Sequence, residues 1–300
     1  YTNFYKDLCS SIWSFDAPLS QINSVGLLNL AKLAKTRVKV LLSGEGADEI
    51  HGGYPRLTRI KFFNFLNNIY KKKLLPLTFL SKRFKLFKFS KYFQLDTNDI
   101  MILSSSVHSL KDIKNLIPNI NIENGLHSRR KLIKEIQLPN KQKNLIYEMK
   151  TYMHDLFIKQ DKMTMAHSIE NRVPFLDNDL VDYSLSFLGN SNFDYSLLKN
   201  INKKTKKYLK QISTKYFGKS FSYRSKSGFS FPLKSIFQNN SFRDPIEQEI
   251  FPGIKENKLY DYKKILIIWN NIDKSSSSEL ELLFSIISLQ IWIEKFKISI

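Results

Sequence analysis

Arg37-Val38-Lys39-Val40-Leu41-Leu42-Ser43-Gly44-Glu45-Gly46-Ala47-Asp48-Glu49, followed by Gly52-Gly53-Tyr54, is the stretch that decides the fold class. Val38, Val40, Leu41 and Leu42 form a short β-branched and apolar run, which predicts a strand buried in a parallel sheet. Just upstream, Leu27, Leu30, Ala31 and Ala34 recur at helical spacing, which predicts a helix over Ser20 to Lys35. The strand runs into Ser43-Gly44-Glu45-Gly46, a glycine-rich turn. Helix, strand and turn in this order are the working unit of an α/β fold. One strand makes no sheet, and no second clear strand reads from Arg56 onward. Its partners are therefore expected upstream of Tyr1.

Working outward, the rest of the chain reads as helical. Leu57 to Tyr70 is rich in Phe and Lys, and Gln142 to Lys162 places Leu145, Met149, Tyr152 and Leu156 on one side. Asp179 to Leu188 and Glu279 to Lys295 are further helix candidates, and Asn270 to Ser278 reads as a polar surface loop. The expectation is an α/β, predominantly helical chain, with 1–55 ending an α/β nucleotide-binding core and 56–300 mainly helical. At 42% hydrophobic residues the 300-residue chain can bury a large core. Its 47 basic against 27 acidic residues give +20, spread along the chain rather than gathered on one motif. That spread reads as compositional bias, so no nucleic-acid partner is expected. Cys9 stands alone, which excludes a disulfide framework. The apolar run Leu282 to Ile293 is too short and too polar to span a bilayer. A cytoplasmic protein with no membrane partner is expected. The first residue is Tyr1, and the start is read as a truncation.

Three constellations could carry chemistry. In the turn, Glu45, Asp48 and Glu49 crowd a backbone suited to anions, so a divalent cation or a cationic substrate group is expected there. The alternative is that Asp48 and Glu49 only complement a helix start. The second constellation is Asp161-Lys162-Met163 with Ser168 to Asp177, where Pro174 ends any helix and Glu170 with Arg172 reads as structural. The third, Tyr223 to Pro232, sets Arg224 and Lys226 beside Gly228 and reads either as a phosphate-binding loop or as a basic surface loop. The five histidines show no zinc-binding spacing.

Together these segments resemble the asparagine synthetase family. Ser43 to Glu49 with Gly52-Gly53-Tyr54 is similar to its second nucleotide-site motif, and Asp161 to Asp177 to its segment ending in Arg-Val-Pro-Phe-Leu-Asp. Lys206 to Lys210 and Arg224 to Pro232 look like its late lysine-containing segments, and Asp16-Ala17-Pro18 like its Asp-x-Pro. Leu57 to Lys141 and the C-terminus match poorly. The resemblance implies the C-terminal part of a Rossmann-like ATP-pyrophosphatase (PP-loop) domain with a helical extension. It implies a carbon–nitrogen ligase that uses ATP and Mg²⁺ to adenylate a carboxylate, releases pyrophosphate, and forms an amide as AMP leaves. Aspartate or another carboxylate is the implied substrate, with ammonia from glutamine through a glutaminase domain absent from these residues, and a homodimer kept open.

On the same resemblance Asp48 is a Mg²⁺ ligand, and Ser43, Gly44, Gly46, Lys206 and Arg224 contact ATP. Glu45 lies near the acyl-adenylate, Lys226 faces phosphate, and Asp161 stands behind the site. Two features depart from the pattern. No Ser-Gly-Gly-x-Asp-Ser loop occurs in these residues, so the chain alone is expected to be inactive, and His51 replaces an apolar residue. Two other classes are a helical interaction relic without catalysis and a basic nucleic-acid-binding domain.

Overall fold

A computed structural model describes residues 3–54, 95–138, 140–187, 205–225, 228 and 231–299. The expected helix at Leu57 to Tyr70 and Lys226 lie outside them. The chain opens with α1 (Phe4–Phe15) and α2 (Asn23–Ala34), then β1 (Val40–Leu42) and the short α3 (Ala47–His51). α4 (Thr97–Ser104), α5 (Leu110–Leu116) and α6 (Ile122–Glu135) follow. Next comes one helical run in three parts: α7 (Asn140–Glu148), a π-helical turn at Met149–Met153, and α8 (His154–Met165). β2 (Glu170–Arg172), a 3₁₀ turn at Pro174–Leu176 and α9 (Asn178–Phe187) complete the middle of the chain. The last part holds α10 (Lys207–Ser222), α11 (Leu233–Gln238), α12 (Asn240–Pro245), α13 (Phe251–Glu256), α14 (Tyr262–Asn270) and α15 (Ser277–Phe296).

α15 is the axis of the main core. It starts at a capping box, in which Ser276 and Glu279 satisfy each other's backbone N–H groups. Leu280, Leu283, Phe284, Ile287 and Ile291 are buried along one face and Leu282 and Ile286 on another, as expected of a helix surrounded by others. Leu8 and Ile12 of α1, Phe237, Phe242 and Trp269 pack on it. Each such side chain contributes about 1.5–3 kcal/mol by leaving water. The polar Ser288 of α15 is spent locally, since its hydroxyl accepts the Leu19 N–H at 2.7 Å and so fixes the chain after Asp16-Ala17-Pro18. A second cluster gathers Ile100, Ile133, Leu145 and Tyr147 from α4, α6 and α7.

Helices dominate, and the sheet is small: β1 pairs with β2 in parallel, with Val40 opposite Glu170, Leu41 opposite Asn171 and Leu42 opposite Arg172. This corrects two expectations. A partner strand lies inside the chain, in a segment too short to show a period. The strand is also not buried: Val40 is 38% and Leu42 73% exposed, because no described element covers them. The helix upstream forms as expected, but its buried stripe is Ser24, Val25, Leu28 and Ala31, while Leu30 is exposed. Among the described residues no helix is long and apolar enough to cross a membrane.

Candidate active site

The two halves of the site are stitched together by the parallel pair. The Glu170 N–H donates to the Lys39 carbonyl at 2.9 Å, and the Ser43 N–H to the Arg172 carbonyl at 2.9 Å. The Asn171 amide then donates to Ser43 Oγ at 3.4 Å. Pro174 ends the strand and starts a 3₁₀ turn that lays Phe175 and Leu176 over the glycine-rich turn. Gly46 is needed there twice over. Its φ of +86° is left-handed, and a Cβ would stand 2.5 Å from Leu176 Cγ. His51 packs edge-on against Phe175, with ring centroids 6.1 Å apart. Two motifs separated by more than a hundred residues thus form one knuckle.

The three carboxylates of the turn part company. Glu49 is 1% exposed and accepts a hydrogen bond from the Tyr54 hydroxyl. Burial pushes its pKa up, opposed by that bond. Tyr54 in turn stands edge-on to Tyr152 at 5.7 Å. Glu49 therefore serves the packing. Glu45 and Asp48 stay half-buried.

Asp48 is held by Lys206, whose Nζ lies 2.9 Å from Asp48 Oδ1, with both side chains about a fifth exposed (22% and 21%). Lys206 takes a left-handed φ of +52° just before α10. Gly53 makes room for the pair, since a Cβ on it would sit 1.7 Å from Asp48 Oδ1 and 2.5 Å from Lys206 Cε. One turn along, Lys210 donates to Thr205 Oγ1 at 3.5 Å. Burial and the neighbouring Lys206 push the Lys210 pKa down. The chain doubles back at Gly218 (φ +77°), so the Tyr223 ring returns to 5.8 Å from Lys210 Nζ. Arg224 follows on that return, with its own guanidinium stacked 3.7 Å over Phe221. Its contacts are with Phe221 and not with the turn.

On the other side, α8 presents a residue that the sequence reading missed. Lys159 is only 6% exposed. Its ammonium donates to Gln21 Oε1 at 2.9 Å and Asn23 Oδ1 at 3.4 Å. Burial pushes its pKa down, and the Glu45 and Asp155 carboxylates act against that shift. The signal was present: Lys159 stands at i+3 from Leu156 and i−4 from Met163, inside the apolar stripe. Asp161, two residues on, turns to the exposed face of the same helix. Ser43, Glu45, Asp48 and Lys206 are thus brought together around the turn, while Asp161 faces solvent and Lys226 is outside the described residues.

The arrangement offers two half-buried carboxylates, Glu45 and Asp48, with Lys206 bonded to the second. Among the described residues no group of three metal-binding side chains occurs. Mg²⁺ taken in with a polyphosphate needs only one or two protein carboxylates, the phosphates and water supplying the rest. Asp48 fits that demand, and Lys206 shows that a cation is accommodated on its Oδ1.

The sequence model of the asparagine synthase family matches residues 3–294. Asparagine synthetase (glutamine-hydrolyzing) 1 of Bacillus subtilis is 28% identical over 300 residues, which covers 96% of this chain and 45% of that protein. A Mycobacterium bovis protein, provisionally named a glutamine-hydrolyzing asparagine synthetase, is 28% identical over 199 residues, 59% of this chain and 28% of its own length. The chain spans less than half the length of these curated relatives.

Proposed function

The chain belongs to the asparagine synthase family, and on that premise we propose that it supplies part of the synthetase site of an ATP-dependent, AMP- and pyrophosphate-forming carbon–nitrogen ligase. The reading rests most on one observation: the 43–49 turn, which carries Glu45 and the Lys206-bonded Asp48, and the 170–176 segment close into one knuckle. In this reading 1–55 is the end of a PP-loop nucleotide-binding core, and the loop that grips pyrophosphate comes from residues outside these 300. Aspartate is the first acyl substrate to test, with glutamine-derived ammonia as nitrogen donor. A related amidotransferase of surface-polysaccharide or secondary metabolism would use the same chemistry on another acid.

In the first step an oxygen of the substrate carboxylate attacks the α-phosphorus of ATP, the bond to the bridging oxygen breaks, and pyrophosphate leaves. Ser43, Gly44 and Gly46 position the nucleotide, and Lys206 stabilises the charge that develops on the leaving group, with Arg224 and Lys226 of the late segment as further candidate cations. Mg²⁺, held by Asp48, supplies further neutralisation of the polyphosphate when bound. In the second step ammonia attacks the acyl carbon, AMP departs with the shared oxygen, and the ammonium proton passes to a base. Glu45 is placed to align the acyl group and to take that proton. Asp161, on the exposed face of α8, is left to support the helix behind the site.

ATP–pyrophosphate exchange by the intact protein, driven by aspartate and a panel of other carboxylic acids, tests this. Glu45→Ala should abolish exchange and leave the unfolding midpoint unchanged. A wild-type exchange rate in that variant would remove Glu45 from the mechanism.

A further inference from the structure

A cavity of about 530 Å³ opens among α4, α5, α6, α7 and the π turn, and none of the residues of the glycine-rich turn lines it. Ligand cavities fall in this size range and are mostly apolar, with a few placed polar groups. Ile102, Ile113, Ile120, Ile122 and Leu126 line this one, and Ile120 is 37% exposed, an apolar wall left to water. Two charged side chains share the lining, Arg129 and Asp155. They carry opposite signs, yet they form no ion pair with each other or with any other described residue. Adjacent Arg130, in contrast, is held by Asp99 at 2.7 Å and Glu123 at 3.2 Å. Arg129 stands instead beside the Tyr147 hydroxyl, on a side chain that is 1% exposed and so fixed in place. Thr151 and Tyr152 join the lining from the π turn, a feature that recurs at functional sites. Tyr152 also stands edge-on to Tyr54, whose hydroxyl bonds Glu49, so the cavity lies one aromatic pair from the candidate site.

We infer that this cavity binds a small zwitterion with an apolar body, an amino acid or a short peptide, its carboxylate on Arg129 and its ammonium on Asp155. The guanidinium offers a planar fork of N–H donors that a carboxylate accepts in pairs, and the Asp155 carboxylate accepts the N–H groups of the ammonium. The isoleucines then cover the apolar side chain. A ligand of single charge would leave one of the two residues unmatched. Nucleotide phosphates would bring their charge against Asp155 with one cation to meet it. Aspartate would set a second carboxylate on the apolar wall. The site is therefore separate from the place proposed for the acyl group at Glu45, and it does not depend on the adenylation reading.

Calorimetric titration of the intact protein, without nucleotide, tests this. The probes are leucine, the dipeptide Leu-Leu, isoamylamine, 4-methylpentanoate and aspartate. Leucine or Leu-Leu should bind, and the tighter of the two tells whether the cavity takes a free amino acid or a peptide. Isoamylamine and 4-methylpentanoate, each lacking one of the charges, should bind on the order of tenfold more weakly, the loss of one charge-assisted contact at an accessible site. Aspartate should be weaker than leucine by a similar factor. Arg129→Met and Asp155→Asn should each weaken the tighter zwitterion on the order of tenfold. Glu123→Gln, on the same helix as Arg129 but outside the lining, should leave binding unchanged. Arg129 and Asp155 are exposed, so both variants are expected to keep the fold, and the probe series on wild type decides without them. No binding of either zwitterion at about 10 mM overturns the inference. So does equal binding of leucine, isoamylamine and 4-methylpentanoate, or a zwitterion affinity that neither variant changes.

Discussion

Gly53→Ala isolates the geometry on which the Asp48 side of the site depends. The added Cβ would sit 1.7 Å from Asp48 Oδ1 and 2.5 Å from Lys206 Cε. The lysine stem can bend away, but Asp48 has only two side-chain torsions and must leave its rotamer, at a cost of about 0.5–1.5 kcal/mol. Its bond to Lys206 breaks with it. A charge-assisted bond of this kind contributes about 1.5–3 kcal/mol when buried. With both side chains about a fifth exposed, screening brings it nearer about 1 kcal/mol. The expected destabilisation is therefore about 2 kcal/mol. The assay is a double-mutant cycle by urea unfolding of the intact protein. In an Asp48→Ala background the clash is relieved, and Gly53→Ala should then cost under about 0.5 kcal/mol. On the proposed role of Asp48, nucleotide-dependent activity should also fall in Gly53→Ala. A substitution that is neutral in the Asp48 background, or equally costly in both, would refute the reasoning.

Two further changes probe the same knuckle. His51 Nδ1 is buried without a hydrogen-bond partner, so His51→Leu should stabilise by about 1 kcal/mol while keeping the contact with Phe175. Burial holds the His51 pKa below its ordinary 6.5, so the unfolded chain protonates first as pH falls. Wild type thus loses stability below pH 6.5 in a way the variant does not, and unfolding curves at pH 7 and pH 5 that change in parallel would sink the idea. Tyr54→Phe removes the donor that supports buried Glu49 and should cost about 1–3 kcal/mol at pH 7. The Glu49 pKa already lies above its ordinary 4.5, so stability falls as pH rises above that value. Removing Tyr54 raises it further, and the cost should be larger at pH 7 than at pH 4. Equal costs at both would assign the loss to ring packing alone.

The strongest periodicities were legible. The helices over Asn23–Ala34, Asn178–Phe187 and Ser277–Phe296 follow from spacing and composition. Ser43 to Glu49 could be located as a glycine-rich, carboxylate-dense turn before any geometry was known, because both properties are local. What failed was non-local. β2 is three residues long and is held by backbone bonds to β1, so Glu170-Asn171-Arg172 carries no alternation to read. The exposure of β1 depends on what covers it, which an apolar run does not encode. Lys159 falls inside the stripe of Leu156 and Met163, so its burial could be read from spacing, but its partners Gln21 and Asn23 come from a distant segment and could not. Glu49 was grouped with Glu45 and Asp48 because they are neighbours in sequence, whereas the helical start turns it inward to Tyr54.

The central claim is that the intact protein activates a carboxylate as its adenylate, and isotope transfer tests it most directly. The acid is labelled with oxygen-18 in its carboxylate and incubated with ATP, Mg²⁺ and ammonia. The account predicts one labelled oxygen in the AMP released, with none in free phosphate, and loss of the transfer in Glu45→Ala. Label appearing in inorganic phosphate beside ADP, or amide formed with unlabelled AMP, would contradict it.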